Sequence, residues 1–300
     1  MKKFFIVLLI LIVAALPVAV AACSNVAQSD MLTSAYVCST DGTGYELFTY
    51  KMYHEENGQK TVVGSMSLRF KPIYNTDVTL PDPTAESKER TVKLLGTHLT
   101  MSYETTELFG NDKGTSEVLY DSGFTPIYSY KRTEIGGTKK EMVVDYGAKY
   151  ANTYLFVNDV QADASEQKIK GTTHFDNEML YAVIRASGVS QSSYSFSFAS
   201  PNALTSTLET ITVSKLSDVK ENIPALVPTD ATEETDTSKD CYLFRIAIAN
   251  TYATALAVYV AKEPITLHNE YMNVTNVKKA ILKIQESDGY SYILDGIEIK

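Results

Sequence analysis

The chain has 300 residues, a formal net charge of −9, 20 tyrosines and no tryptophan. Its acidic balance and its lack of basic stripes argue against nucleic acid as a partner, because binding to phosphates needs clustered lysine and arginine. The length allows one large β-rich domain or two small ones. The many tyrosines suit half-buried sheets, in which the ring packs and the hydroxyl stays in water.

The first residues have the pattern of an export signal. Met1-Lys2-Lys3 supplies a basic start, and no charge follows from Phe4 to Cys23. We therefore predict a signal peptide over residues 1–22. The uncharged run is also long enough for a membrane helix, but Pro17 and the small residues after it argue against that alternative.

The residues Val20-Ala21-Ala22-Cys23 resemble the lipobox of bacterial lipoproteins. The resemblance implies cleavage before Cys23 and lipidation of that cysteine, which anchors the protein to a membrane outside the cytoplasm. A plain signal peptide without lipid is the alternative. Loss of Lys2 and Lys3 with the signal changes the net charge from −9 to −11. Residues 23–44 are mainly small and polar, so we predict that they form a flexible tether.

Two cysteines, Cys38 and Cys241, remain once Cys23 is assigned to the lipid. In an oxidising compartment such a pair is predicted to form a disulfide. The alternative is two free thiols, with Cys241 small and buried in a strand. No CxxC motif occurs, so redox or zinc sites of that type are not supported.

The first half of the domain consists of predicted strands joined by hairpin signals such as Asn57-Gly58 and Gly136-Gly137. Residues 80–90 contain two prolines and many charges and are predicted as a surface loop. Farther along, a polar turn at 158–166 is predicted to join strands over 150–157 and 167–174. The pattern indicates an antiparallel meander.

One stretch, residues 175–186 with the sequence FDNEMLYAVIRA, has a helical pattern. Its apolar residues recur at spacings of three and four: Met179, Leu180, Val183 and Ile184. Asp176 or Asn177 can cap the first turn, and Ser187-Gly188 ends the helix. We predict a mainly β fold, in which a large curved antiparallel sheet, a half-barrel, carries this one central helix on its concave face. The fold is predicted to form a single domain over residues 45–300.

Beyond the helix, Tyr194, Phe196 and Phe198 alternate with serines, as in a strand with one buried face and one wet face. Residues 218–240 contain two prolines and an acidic run and are predicted as the longest loop. This loop is the best candidate for a domain boundary. Four further strands are predicted after it, at 241–249, 253–261, 277–286 and 290–299.

No catalytic or metal-binding motif is found. The four histidines are far apart and none belongs to an HExxH motif, so we expect no metal and no cofactor. Sequence alone cannot pair any two carboxylates as acid and base. We therefore do not expect an enzyme, although a concave site with two convergent carboxylates or a perturbed histidine would favour one.

His174 and Arg185 flank the helix and leave two interpretations open. In the first, His174 ends a strand, and Arg185 in the last turn interacts with the helix dipole and nearby carbonyls. In the second, both belong to a polar rim at the mouth of a ligand cavity, where Arg185 pairs with an anionic head group.

From about residue 124 to residue 300, the order of elements resembles the lipoprotein-carrier superfamily and uncharacterised bacterial families that share its half-barrel. The resemblance rests on FTPIYSYKRTE, the MVVDYG strand and the FDNEMLYAVIRA helix, then on ALAVYVAKEPITLH, ILKIQES and YSYILDGIEI. In the uncharacterised families an aspartate, an aliphatic–tyrosine pair and an arginine recur in the helix, and Asp176, Leu180-Tyr181 and Arg185 stand at similar places. The resemblance implies a strongly curved sheet whose apolar concave face is closed by short helices.

Two functions are compatible with these patterns. The first is a non-enzymatic, membrane-tethered binder of an apolar or lipid-like ligand, held between the concave sheet and the helix. The residues predicted to line this site are Met179, Val183, Ile184, Arg185, Tyr194, Phe196 and Phe198. For each of them ordinary core packing is the alternative. The second function is an envelope scaffold or adhesion module that binds a protein or a glycan through its outer tyrosine-rich faces.

Overall fold

The computed structural model describes residues 44–169, 174–186, 200–201, 208–209, 211–223, 238–248, 256–268 and 274–300. In these residues one α-helix, α1 (Met179–Ala186), accompanies 17 strands. The strands before the helix are β1 (Glu46–Glu56), β2 (Gln59–Pro81), β3 (Glu89–Thr105), β4 (Lys113–Asp121), β5 (Pro126–Ile135), β6 (Thr138–Tyr146), β7 (Tyr150–Val157) and β8 (Val160–Lys168). The strands after it are β9 (Ser200–Pro201), β10 (Leu208–Glu209), β11 (Ile211–Asn222), β12 (Ser238–Ile248), β13 (Leu256–Ala261), β14 (Ile265–His268), β15 (Val274–Val277), β16 (Ile281–Glu286) and β17 (Tyr290–Ile299).

Thirteen of these strands form one antiparallel sheet in the order β11-β12-β13-β16-β17-β1-β2-β3-β4-β5-β6-β7-β8. The two ends of the described chain meet inside this sheet, where the Tyr45 N–H donates to the Lys300 carbonyl at 2.9 Å. The meander β1–β8 runs from there to one edge, and the chain then crosses to the opposite edge at β11 and returns. The sheet does not close, and α1 packs on its concave face. The half-barrel with one helix predicted from the sequence is therefore confirmed.

Period-two alternation places the core on the side of the sheet that faces the helix. In β1 the buried side chains Glu46, Phe48, Tyr50 and Met52 alternate with the exposed Thr49 and Lys51. Successive side chains of a strand point to opposite faces, so the four buried ones lie on the concave face. We call the opposite side of the sheet the outer face.

The helix is shorter than predicted, because it begins at Met179 rather than at residue 175. The preceding residues form a turn, in which the Met179 N–H donates to the Asp176 carbonyl at 3.1 Å. The Asp176 carboxylate accepts the Glu178 N–H at 3.3 Å, so Asp176 is a helix cap, as predicted. All eight helical residues except Tyr181 are buried, because α1 packs on the concave face of the sheet.

The long β2–β3 hairpin extends beyond its neighbours and packs on the outer face. We call residues 71–95 of this hairpin the arm. The predicted loop over 80–90 is wrong at both ends, because β2 continues to Pro81 and β3 begins at Glu89. Leu80 and Leu94 of the arm are buried in a second apolar cluster with Tyr128 and neighbouring side chains of the outer face. The Tyr128 hydroxyl also donates to the Pro81 carbonyl at 2.7 Å.

The polar turn predicted over 158–166 is also wrong. The turn is confined to Asn158 and Asp159, which have φ values of 48° and 66°, and β8 follows at once. Consecutive left-handed residues suit a two-residue hairpin. Because β8 is exposed along most of its length, it has no apolar alternation that would distinguish it from a loop.

Two predictions after the helix need similar corrections. The loop predicted over 218–240 is shorter, because β11 extends to Asn222 and β12 begins at Ser238. The strand predicted over 277–286 is interrupted at Lys279, which has a φ of 51°. This break separates a small β14–β15 hairpin from the main sheet. The aromatic strand predicted at 193–198 lies outside the described residues.

Candidate functional site

The predicted lining residues of the helix lie on the concave face. Met179, Val183 and Ile184 are buried in the main core, in contact with apolar side chains of the sheet. The other predicted aromatic residues, Tyr194, Phe196 and Phe198, lie outside the described residues. The structure thus brings the helical part of the predicted site together, and the ligand-binding role of these residues stays a prediction.

The concave face is apolar and contains many methionines. All five methionines in the described part of the chain belong to its apolar clusters: Met52, Met66, Met101, Met142 and Met179. Unbranched, polarisable methionine side chains adapt to apolar partners of differing shape.

Arg185 lies inside the core rather than at a cavity rim. Its side chain is 0% exposed, and its Nη1 donates to the Glu46 carboxylate at 2.7 Å. Its Nε and Nη2 donate to the carbonyls of Lys279 and Lys278, each at 3.2 Å. The guanidinium carbon also lies 4.7 Å from the ring centre of Phe48. Neither interpretation from the sequence anticipates this buried ion pair, which fixes the C-terminal end of α1 to β1.

A second buried group of charges holds the start of the helix. We call Lys131, Tyr146, Asp176 and Glu178 the charged cluster. The Lys131 ammonium lies 2.9 Å from the Asp176 carboxylate and 2.5 Å from that of Glu178. The Tyr146 hydroxyl donates to the other Asp176 oxygen at 2.7 Å. Because Lys131 and Tyr146 come from β5 and β6, this cluster joins the start of α1 to the half of the sheet that Arg185 does not touch.

The charged cluster contains two carboxyl groups but one lysine, and the two carboxyl pKa values shift in opposite directions. Burial raises the pKa of Glu178 to about 8, against the opposing effect of Lys131. Burial also disfavours the charged form of Asp176, but Lys131 and the surrounding hydrogen bonds bring the pKa of that carboxyl well below its usual range. Lys131 keeps a raised pKa, because its two carboxyl neighbours outweigh burial. Burial therefore favours a proton on Glu178 over a second carboxylate charge in the cluster.

In the described part of the chain, three buried polar side chains near the charged cluster make no hydrogen bond of regular geometry: Ser129, whose hydroxyl interacts with that of Tyr146, Thr153 and His174. Both ring nitrogens of His174 are unpartnered, and burial lowers the pKa of the ring while Asp121 opposes this effect. His174 is therefore neutral at physiological pH. In the described residues, no three His, Cys, Asp or Glu side chains are placed to share a metal ion.

Two carboxyl groups and a perturbed histidine thus converge on the concave face, the arrangement that would favour an enzyme. Asp176 and Glu178, however, share Lys131 within 3 Å, and Asp176 is fully buried. A general acid or base must reach the proton that it transfers. Carboxyl groups that are occupied by a buried lysine do not meet this condition in the geometry described here.

Polar clefts lie outside the predicted site. One of about 370 Å³ is lined by Glu55, Lys60, Lys283 and Gln285, among others. Another of about 310 Å³ is lined by hydroxyl and charged side chains of the outer face, including Ser67 and Ser102. Their polar walls do not suit an apolar ligand.

Cys241 is buried and is the one cysteine among the described residues; in the thiol form its sulfur donates to the Lys239 carbonyl at 3.3 Å. Burial raises the pKa of this thiol to about 11. Cys23 and Cys38 lie outside the described residues, so lipidation and the disulfide between Cys38 and Cys241 stay predictions. No helix in the described part of the chain has the length and hydropathy to span a bilayer.

Sequence reasoning missed Glu46, Lys131 and Tyr146, although the alternation contained a signal. Glu46 shares a face with Phe48 and Tyr50, and Lys131 shares a face with the buried Ser129. A charged residue at an inward position of a strand needs a partner in the core. The alternation of side chains along a strand therefore indicates that such partners exist, but it does not identify them.

No family model matches the chain, and no curated protein matches it. Among solved structures, it is similar to a β-barrel-like protein of the domain of unknown function DUF1849 from Brucella abortus, with a TM-score of 0.51 and 8% identity, over 86% of this chain and 98% of that chain. A protein with a YmcC-like fold from Bacteroides fragilis, described as exported, matches with a TM-score of 0.25 and 8% identity, over 88% of this chain and 98% of that chain. The first similarity shows a shared fold alone, and the second carries no argument at that TM-score.

Proposed function

We propose that this protein is an exported lipoprotein, anchored to a membrane through Cys23, that binds an apolar or lipid-like ligand between the concave sheet and α1. The character of the concave face carries this proposal, because it is apolar, rich in methionine and part of an open sheet. The lipobox residues Val20–Cys23 support the anchor. In this proposal the protein catalyses no reaction, since its convergent carboxyl groups are already paired with Lys131.

The dimensions of the helix and the sheet support a ligand-binding role. An eight-residue helix is about 12 Å long, whereas thirteen strands at about 4.8 Å spacing extend over about 60 Å. The helix by itself can therefore cover only part of the concave face. Apolar surface beside α1, at partly exposed positions such as Met101, is where a hydrocarbon chain would lie.

The experiment is native mass spectrometry of residues 44–300 purified from bacteria, followed by organic extraction. This fragment contains every described strand and lacks Cys23, so any lipid found is bound without a covalent link. We expect an apolar molecule at near-stoichiometric amount. A ligand-free mass, with no uptake of added lipids, would contradict the proposal and favour the scaffold.

A pair of substitutions tests the location of the ligand. Met101→Lys places a charge on the concave face at a partly exposed position, where a lysine can still extend to water. This variant is expected to lose most of the bound lipid. Leu108→Lys is the control, because Leu108 is 92% exposed in the turn between β3 and β4 and should not affect occupancy. Loss of membrane association in full-length Cys23→Ser tests the anchor separately.

A further inference from the structure

We propose that Ser129, Thr153 and His174 form a polar subsite on the concave face that binds the uncharged, hydrogen-bonding head group of an amphipathic ligand. This inference rests on the proposed function and names the ligand class more closely. Among the described residues, each of the three carries a buried polar atom that makes no hydrogen bond of regular geometry. The great majority of buried polar side-chain atoms in native proteins are hydrogen-bonded, so three neighbouring residues with such atoms left unbonded need an explanation. We call these the orphaned atoms.

The strand register places the two hydroxyl groups in one row. Ser129 of β5 pairs with Val144 of β6, which pairs with Thr153 of β7, so the three side chains lie on the same face. Tyr146 lies two residues from Val144 on that face, and its ring centre is 6.2 Å from that of His174. The register therefore puts Ser129 and Thr153 on either side of Val144, and His174 lies against Tyr146, beside the charged cluster.

Apolar side chains of the same strands provide a place for the hydrocarbon part of the ligand. Met142, Val144, Ala151 and Ile169 form a buried cluster, against which Leu155 packs. The subsite thus combines an apolar floor with a few convergent polar groups, as ligand pockets commonly do. An amphipathic molecule matches both parts.

The chemistry of the subsite favours a head group without charge. Two hydroxyls and a neutral imidazole can donate and accept hydrogen bonds but supply no counter-ion. The charges beside them, on Lys131 and Asp176, already face each other at 2.9 Å. A charged head group would be buried without compensation, which is far more costly than burial of a hydroxyl, ester or amide that is hydrogen-bonded.

The test compares two probes with the same hydrocarbon chain, monooleoylglycerol and oleate, on the full chain purified in a zwitterionic detergent. Native mass spectrometry gives the affinity for each. We expect monooleoylglycerol to bind at least about tenfold more tightly than oleate. Thr153→Val, which removes the hydroxyl but keeps the shape, should weaken monooleoylglycerol binding about 2- to 10-fold, as expected for one hydrogen bond, and leave oleate binding unchanged.

Thr115→Val is the matched control, because Thr115 lies on the outer face opposite Ser102 and should not alter either affinity. Thr153→Val is expected to melt at or above the wild-type temperature, since replacement of an orphaned hydroxyl by a methyl group removes an unsatisfied polar atom. Equal binding of the two probes, or an unchanged preference in Thr153→Val, would show that the orphaned atoms are only hydrated, and would overturn the subsite but not the binder. If neither probe binds, both proposals fail.

Discussion

The buried pair of Arg185 and Glu46 gives the most direct test of how the helix is held. Glu46→Ala removes the carboxylate that lies 2.7 Å from the guanidinium and leaves Arg185 buried. Removal of one partner from a buried ion pair costs about 3–5 kcal/mol, because the remaining charge is uncompensated. Arg185 keeps two carbonyl acceptors and its contacts with aromatic rings, so we expect the lower end of this range.

The assay is urea unfolding of residues 44–300 at pH 7, followed by circular dichroism. A double variant, Glu46→Leu with Arg185→Met, should recover much of the loss, since replacement of both charges by apolar groups is often close to neutral. Glu298→Ala is the control, because Glu298 pairs with Lys300 at 2.7 Å in an exposed position near the same end of the sheet. Exposed pairs contribute little, so no change is expected there.

A loss below about 1 kcal/mol in Glu46→Ala would refute the reasoning, because surface pairs typically contribute no more than this. A double variant that is less stable than the single variant would refute it as well. The midpoint and the slope of each transition must both be compared, since a changed slope would indicate an altered unfolded or native state.

Three further predictions concern the charged cluster, the helix and the arm. Burial raises the pKa of Glu178 to about 8, above that of an unfolded glutamate, so its stabilising contribution is complete below about pH 4 and is lost as the pH rises through the folded value. Melting temperatures should fall between about pH 4 and about pH 8 and level off above that, and Glu178→Gln should remove this fall. Ile184→Asp puts an unpaired carboxylate at a position that is 1% exposed. In chemical unfolding it should lower the free energy of unfolding by several kcal/mol, and a near-wild-type midpoint would contradict burial of α1. Leu80→Ala should lower the local stability of the arm by about 2–5 kcal/mol. Amide hydrogen exchange should therefore become faster in the arm but not in β16 and β17. Unchanged exchange would contradict packing of the arm on the outer face.

Periodicity predicted those strands that have one buried face. The bounds predicted for β7 and β17 agree with the structure, and in β7 the buried Ala151 and Thr153 alternate with less buried neighbours. The helix was equally visible, since its apolar residues recur at spacings of three and four. Its start was placed too early, because Phe175 and Asp176 are buried as firmly as the helical residues although they form a turn.

The structure of β8 and of the arm could not be predicted from local composition. β8 is polar and exposed, so its strand state depends on pairing with β7 and on the two-residue turn that precedes it. The arm contains the same prolines and charges that suggest a loop, and its folding onto the outer face depends on contacts with strands distant in the chain. Tertiary context determines both elements, and no short window of sequence contains it.

The ion pairs of the site could not be predicted either, because their partners are far apart in the sequence. Arg185 and Glu46 are 139 residues apart, and Lys131 is more than forty residues from its partners. Alternation indicates that a charged side chain points inward, but the identity of its partner depends on how the chain crosses the sheet. The orphaned atoms of Ser129, Thr153 and His174 are harder still to predict, because the absence of a partner is a property of the complete fold.

The order of the strands explains why both ends of α1 carry buried charges. The chain leaves the sheet at β8 and returns at β11, which are its opposite edges in the described residues, and α1 lies on the concave face between these strands in chain order. Arg185 binds Glu46 of β1 at one end of the helix, and Lys131 of β5 binds two carboxyl groups at the other. The Arg185 pair joins one guanidinium to one carboxylate. At the start of α1 two carboxyl groups share Lys131, and burial raises the pKa of Glu178, so we expect this end, beside the proposed polar subsite, to loosen as the pH rises.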